Sequence, residues 1–430
     1  MIRLQRALLL VSGIALGFPP SAMTAPAAAT AAEPAAATAP AAAPRYRTDA
    51  DGPVGAEKPV KRGPKDKTPA LAWFMPVQGE FPLEGTAHAV SGELMRVDHV
   101  ERRFQIRVDR NDSQERGVWD LPLDAAMLPY GSILYHGQQA ALQDLPMGTH
   151  LNGLFYLKDP KDTAPLPMAA YNRRSPEGDF RRCFRIEDDF SRDTRTGVVW
   201  KVDSVDLDTM KLTATPHREG KPAGPAKLLD LMAGTRVWKG SGFADLRALA
   251  AGQEVIFNLT WVTLYGPGRV VEVWLDAESR RLATARQLEI HRLHIRERGL
   301  PGWVQDVDDD EQIVTIRFFD NVDPGLFDEI RAPIPASMLK PGEVVEGPRG
   351  GIAVARPDLM TYDPVNDRKG GAVVDVRTDL PTERGGSPVQ IKVKCDLLLE
   401  GYRPRKIVRF YPGAWRVIAL PREEQAMGLE

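Results

Sequence analysis

Three stretches of the chain begin alike. Gly92–Asp98 is GELMRVD, Gly197–Asp203 is GVVWKVD and Gly302–Asp308 is GWVQDVD, and the three leading glycines are evenly spaced. Self-similarity at a fixed period means tandem structural units, each one supersecondary element repeated along the chain. A weaker fourth start, GAVVDVR, spans Gly371–Arg377. Whatever this chain folds into, it is built from copies of one small unit.

Each start runs through a polar break into alternating apolar residues, as in Phe104, Ile106 and Val108. Period-two alternation around a polar break reads as an antiparallel hairpin with one buried face. Asp98, Asp203 and Asp308 fall at the break, where carboxylates cap turn backbone. A second phrase is also written twice, as YHGQQAALQDLPMGTHLNGLFY (Tyr135–Tyr156) and WKGSGFADLRALAAGQEVIFNL (Trp238–Leu259). In both copies a strand ends and a glycine (Gly137 or Gly240) breaks it. A short helical turn then carries Leu142 and Leu145, or Leu246 and Leu249, on one face. Gly148 or Gly252 ends that turn and another alternating strand follows.

The unit is therefore three strands, a short helix and two strands. That order resembles the small OB-like barrel, in which a helix between the third and fourth strands plugs the barrel bottom. The fold class expected is mainly β, with tandem OB-like five-stranded barrels joined by short helical connectors. As a whole the chain resembles secreted bacterial proteins of uncharacterised activity built from such repeats; the resemblance implies architecture and export, and no reaction.

At 430 residues the chain suits several compact domains. MIRLQRALLLVSGIALGF places Arg3 and Arg6 ahead of a short apolar run, and small residues follow. This is the grammar of a secretory signal peptide, assigned to residues 1–25, with several small-residue triplets competing as the cleavage site. Residues 26–72 are an Ala/Pro-rich linker expected to be disordered. Unit 1 with its connector is expected over 73–190 and unit 2 with a connector helix over 191–299. A divergent third unit with a partial fourth repeat is expected over 300–430. No transmembrane anchor is expected once the signal is cleaved, so the protein is read as exported, periplasmic or extracellular. A net charge of −2 gives no overall field to attract nucleic acid, and no such partner is expected. The two cysteines, Cys183 and Cys395, are either one disulfide or two buried thiols, and are too few for a thiolate zinc site.

Residues 278–299 read as a helix whose Leu282, Ala285, Leu288 and Ile295 would face a barrel. On it, Glu289, His291 and His294 form the sharpest candidate metal site, with two histidines at i and i+3. The acidic runs Glu187–Asp189 and Asp308–Glu311 read as solvated turns. No nucleotide-binding or nucleophile-elbow motif occurs, and no cofactor is expected. OB-type barrels bind sugars and oligonucleotides on exposed aromatic rings, which makes Trp200, Trp238 and Trp261 the candidate ligand-binding residues. Trp200, out of phase with Val199, is expected to face away from the core. The resulting expectation is a non-catalytic binding or scaffold protein of the cell envelope, recognising an envelope glycan or an envelope protein. The alternative is an envelope-polymer hydrolase, metal-assisted, using the 278–299 connector.

Overall fold

The first barrel is made by β1 (Ala87–Asp98), β2 (Arg103–Val108), β3 (Leu123–Tyr135), β5 (His150–Leu157) and β6 (Gly178–Asp188), with the two-residue β4 (Gln138–Gln139) on the end of β3. β1 pairs antiparallel with β2 and β5, β2 with β3, and β5 with β6, and a parallel β3–β6 pairing closes the ring. The alternation in β2 puts Phe104, Ile106 and Val108 inside, against Leu94, Phe155 and Phe180. A 3-10 turn at Leu142–Asp144 drives Leu142 and Leu145 into the barrel end as a plug. The computed structural model describes residues 87–109, 122–157, 178–260 and 268–425, apart from 357, 362 and 382–384. The signal peptide and linker expected over 1–72, and Trp261, lie outside the described residues.

The second barrel repeats the order. Its strands are β7 (Val198–Asp206), β8 (Lys211–Arg218), β10 (Lys227–Lys239), β12 (Glu254–Leu259) and β13 (Arg269–Trp274), with short β9 (Lys221–Pro222) and β11 (Gly242–Ala244) at its margins. β10 and β13 again make the parallel closure. Both units thus have the OB strand order anticipated from the sequence.

The third barrel departs from it. β14 (Leu300–Asp308), β15 (Ile313–Phe319), β16 (Arg349–Val354), β17 (Lys369–Arg377), β18 (Gly386–Cys395) and β19 (Ile407–Pro412) close a six-stranded, wholly antiparallel ring. The GAVVDVR stretch is a stave of this ring and does not begin a fourth unit. Gly371 lies opposite Gly350 on β16 and Cys395 on β18, so both edges of its strand are used within the third barrel.

Strand register revises the repeat alignment. Each opening hairpin has a bulge three residues before its turn aspartate, and those aspartates are Asp98, Asp206 and Asp308. Gly92 and Gly302 therefore correspond to Trp200, not to Gly197. A Cβ at Gly92 or Gly302 would meet the carbonyl of Arg107 or Arg317 across the hairpin, whereas Trp200 faces Pro216. Gly197 instead ends the preceding helix, in the left-handed region at φ 68°. The even spacing of the three glycines is partly coincidence.

Two helices follow the first two barrels, α1 (Asp189–Thr196) and α2 (Ala277–Arg298). Each is capped by an aspartate three residues before a serine: Asp188 accepts from the Ser191 N–H and Asp276 from the Ser279 N–H. Each serine hydroxyl in turn accepts from the glycine of the twice-written phrase, Gly137 N–H to Ser191 at 2.8 Å and Gly240 N–H to Ser279 at 2.7 Å. The repeating unit is thus a barrel plus its capped helix.

The buried face of α2 is Ser279, Gln287, His291 and Ile295; Ile295 is as expected, while Ser279, Gln287 and His291 stand in place of Leu282, Ala285 and Leu288. The helix lies across barrel ends, where exposed backbone carbonyls want donors. Thr284 donates to the His136 carbonyl and Gln287 to that of Gln139. Two interface clusters join the pieces. Phe190, Ile256 and Trp274 pack where α1 meets barrel 2. Tyr130, Tyr156, Phe184, Trp303, Phe319 and Ile407 fill the seam between barrels 1 and 3. Cys183 and Cys395 are separate buried thiols in the cores of barrels 1 and 3.

A candidate binding cleft

The twice-written phrase does more than repeat a fold. Its two copies converge on one cleft of about 560 Å³, with α2 as the floor. Tyr135, His136, Asp144 and Pro146 come from the first copy; Trp238, Gly240, Ser241 and Phe243 come from the second. Gly137 and Gly240, both at positive φ, turn each chain sharply after its strand so that the two phrases can meet over the helix.

Aromatic faces and a charged cluster share this space. Trp238 and Phe243 lie 4.2 Å apart between ring centroids, and Phe243 is 66% exposed. Behind them sits Glu272 on β13, which is buried. It accepts from Trp238 Nε1 at 3.2 Å, pairs with Arg236 at 3.0 Å and lies 3.7 Å from His136 Nε2. The His136 ring is stacked on Tyr135 at 3.8 Å and meets the edge of Trp274 at 5.0 Å. Burial pushes the Glu272 carboxyl up, but the neighbouring His136 ring, Arg236 and the Trp238 hydrogen bond outweigh it and hold the group below its ordinary value. On the other wall burial raises Asp144 above its ordinary value, against hydrogen bonds from Ala141 N–H at 2.8 Å and Gln287 at 3.2 Å. Arg286 on α2 also lines the cleft.

A buried polar network lies behind the cleft, where the sequence suggested a solvated turn. Glu187, Asp188 and Asp189 are 2%, 0% and 1% exposed. Asp188 accepts from Asn258 of barrel 2 at 2.9 Å and from the His136 N–H at 3.3 Å. Asp189 accepts from His150 Nδ1 at 2.9 Å, Asn152 at 3.1 Å and the Leu259 N–H at 3.1 Å. His150 Nε2 reaches Asp109 at 2.7 Å, so one imidazole bridges two carboxylates. Arg195 and Glu187 form a bidentate pair. These groups stitch barrel 1, α1 and barrel 2 together and set where the two phrases stand.

The candidate ligand residues divide. Trp238 lines the cleft. Trp200 does not: it is 5% exposed in the core of barrel 2, 4.9 Å from Phe257, with Nε1 donating to Asp193 at 2.7 Å. Trp200 does alternate with Val199, but it is Trp200 that shares the core face with Val202, while Val199 packs outside the barrel against the Phe190, Ile256 and Trp274 cluster. Trp261 lies outside the described residues.

The candidate metal residues are not brought together. Glu289 is exposed and pairs with Arg292 at 3.0 Å. His291 is buried and accepts the Asp323 N–H at 3.1 Å. His294 stands 3.5 Å from Gln143. Side chains two apart on a helix point to nearly opposite sides, so Glu289 cannot join His291. Among the described residues no group of three or more potential ligands is arranged for a metal ion.

Tyr135, His136, Phe243 and Glu272 went unnoticed as site residues in the sequence. The first three were in view within the repeated phrase, which looked like architecture alone. No protein-family model, curated protein or solved structure matches the chain. The cleft is therefore read from its own chemistry.

Proposed function

We propose that this is a non-catalytic, exported binding protein of the cell envelope that holds a glycan in the cleft between its first two barrels. The observation that carries the reading is the open Trp238–Phe243 pair set in front of the Glu272–Arg236–His136 cluster. Sugar rings offer apolar faces to aromatic side chains and hydroxyls to carboxylates and guanidinium groups, and the cleft supplies both. Its volume falls within the range of small-ligand sites. Export rests on the N-terminal sequence, and the OB strand order, used elsewhere for oligosaccharides, fits the same ligand class.

Phe243→Ala is expected to weaken binding of soluble wall-derived oligosaccharides roughly tenfold or more, about 1.4 kcal/mol or above, with the unfolding temperature unchanged. The side chain is exposed, so its loss empties no core. Titration followed by the fluorescence of the cleft tryptophans measures it, and unchanged affinity in the variant would remove the cleft from consideration.

A second reading, hydrolysis of the same glycan, has one observation in its favour. Asp144 and Glu272 are pushed in opposite directions, as an acid and a base in one site would be. It ranks second because both carboxylates are already engaged, Asp144 as a turn cap and Glu272 by three neighbours. Release of new reducing ends from wall polymer, abolished in Asp144→Asn, would reverse the ranking.

A further inference from the structure

Away from the cleft, where barrel 1, barrel 3 and the end of α2 meet, two arginines turn inward. Arg409 on β19 is 7% exposed; its Nε donates to the Leu359 carbonyl at 2.8 Å and its Nη1 to that of Gly299 at 3.1 Å. Arg102, in the β1–β2 turn, donates from Nη2 to the carbonyls of Leu128 and Gly131, both at 3.1 Å. Its Nε is buried and has no hydrogen-bond partner. Neither guanidinium forms an ion pair with a carboxylate among the described residues. The nearby acids are taken: Asp358 pairs with Arg356 at 2.7 Å and Glu424 with Arg298 at 2.6 Å.

Both guanidinium groups open on a cavity of about 60 Å³, which His294, Thr361 and the ion-paired Arg298, Glu424 and Asp358 help to line. Arg102, Arg409 and His294 also border a smaller neighbouring cavity. The hydrogen-bond partners of the two guanidinium groups are neutral carbonyls, and the Asp358 carboxylate, which favours both cations, is shared with Arg356. Two like charges placed together with only this shared offset are an arrangement that a further counter-charge would relieve. Burial lowers both side chains to about 10, and Arg409 contributes to lowering Arg102. His294 is pushed well below its ordinary value by burial and by Arg298 and Arg409, so it enters the site as a neutral donor or acceptor and not as a third cation.

We propose that this cavity is a binding site for one small inorganic oxyanion of phosphate or sulfate size, held between Arg102 of barrel 1 and Arg409 of barrel 3. Guanidinium forks match the edges of such anions, and the Thr361 hydroxyl adds a donor. The space exceeds what one water needs, about 10–15 Å³ on the same measure. It suits a free ion better than the phosphate of a larger molecule. The occupant would tie the two barrels together by charge, beside the apolar seam.

The test uses the full mature chain exchanged into buffer free of phosphate and sulfate. Thermal unfolding is followed against sodium phosphate and sodium sulfate, with sodium chloride at matched ionic strength and phenyl phosphate as a bulkier probe. Phosphate or sulfate is expected to raise the midpoint by several degrees and to saturate, while chloride and phenyl phosphate leave it nearly unchanged. Arg102→Met is expected to lose this increment yet to be no less stable than wild type in the anion-free buffer, because it deletes a buried charge that sits beside Arg409 and shares Asp358 with it. A residue serving only to clamp the Leu128 and Gly131 carbonyls would instead lose stability in both buffers and keep the increment. If Arg102→Met does not fold, Thr361→Val is expected to shrink the increment. Calorimetry on wild type is expected to give one anion per chain. Equal responses to phosphate and chloride, an equal shift with phenyl phosphate, an unchanged increment in the folded variant, or no heat of binding would each overturn the assignment.

Discussion

Replacing Asp189 by alanine is expected to cost the fold about 3–5 kcal/mol, the usual loss when one partner of a buried charge pair is removed. Asp189 accepts from His150, Asn152 and the Leu259 N–H, and Arg192 stands 3.5 Å away. Removing the carboxylate leaves a buried imidazolium leaning on Asp109 alone and strands two further donors. Burial disfavours the His150 cation, but the charges and hydrogen bonds of Asp189 and Asp109 outweigh it, raising the group from 6.5 to about 10. The same pairing holds Asp189 well below its ordinary 3.8. The His150 contribution is therefore complete below pH 6.5 and fades as pH rises towards 10. The Asp189 contribution is complete above 3.8 and is lost as pH falls through its depressed value. The stability gap between wild type and Asp189→Ala should be widest between those limits and narrow on the alkaline side. Denaturant unfolding across pH measures it. A gap that is small, or flat from pH 5 to pH 10, would mean that the pair does not hold barrels 1 and 2 in place.

Phe319→Ala is expected to cost a similar amount, about 3–5 kcal/mol, for a different reason. Phe318 points into barrel 3, while its neighbour Phe319, fully buried, points out into the seam with barrel 1. There its ring centroid lies 5.6 Å from that of Trp303 and 6.1 Å from that of Tyr130. Truncation opens a void between the two barrels without touching either core, so barrel 3 should begin to unfold as a separate step. Unfolding followed through tryptophan fluorescence and far-UV circular dichroism should lose its coincidence in the variant. Val374→Ala, on the exposed face of β17, should stay within about 0.5 kcal/mol of wild type. A Phe319→Ala loss no larger than that control would refute a shared seam.

The OB order was legible in the sequence because it is local: period-two hairpins, Leu142 and Leu145 in a short turn, and Gly148 after it all act within a few residues. The third barrel was not, since its closure depends on β14 meeting β19 and β15 meeting β18 across long separations. The acidic run 187–189 misled for the same reason. Three adjacent carboxylates look solvated until His150, Asn152 and Asn258 are brought to them from other strands. Trp200 and Trp238 show the limit of alternation, which separates two faces without saying which is the core: Trp200 lies inside with Val202 while Val199 packs outside, and Trp238 reaches the cleft from the end of β10. The metal candidate failed on helical geometry that its spacing already contained, Glu289 being two residues from His291.

The most direct measurement is co-sedimentation of the full chain with intact and with protease-treated cell-wall polymer, for wild type and for Phe243→Ala. Saturable binding that survives protease and falls in the variant is the predicted result. Binding that disappears after protease treatment, or that Phe243→Ala leaves untouched, would contradict a glycan held in this cleft.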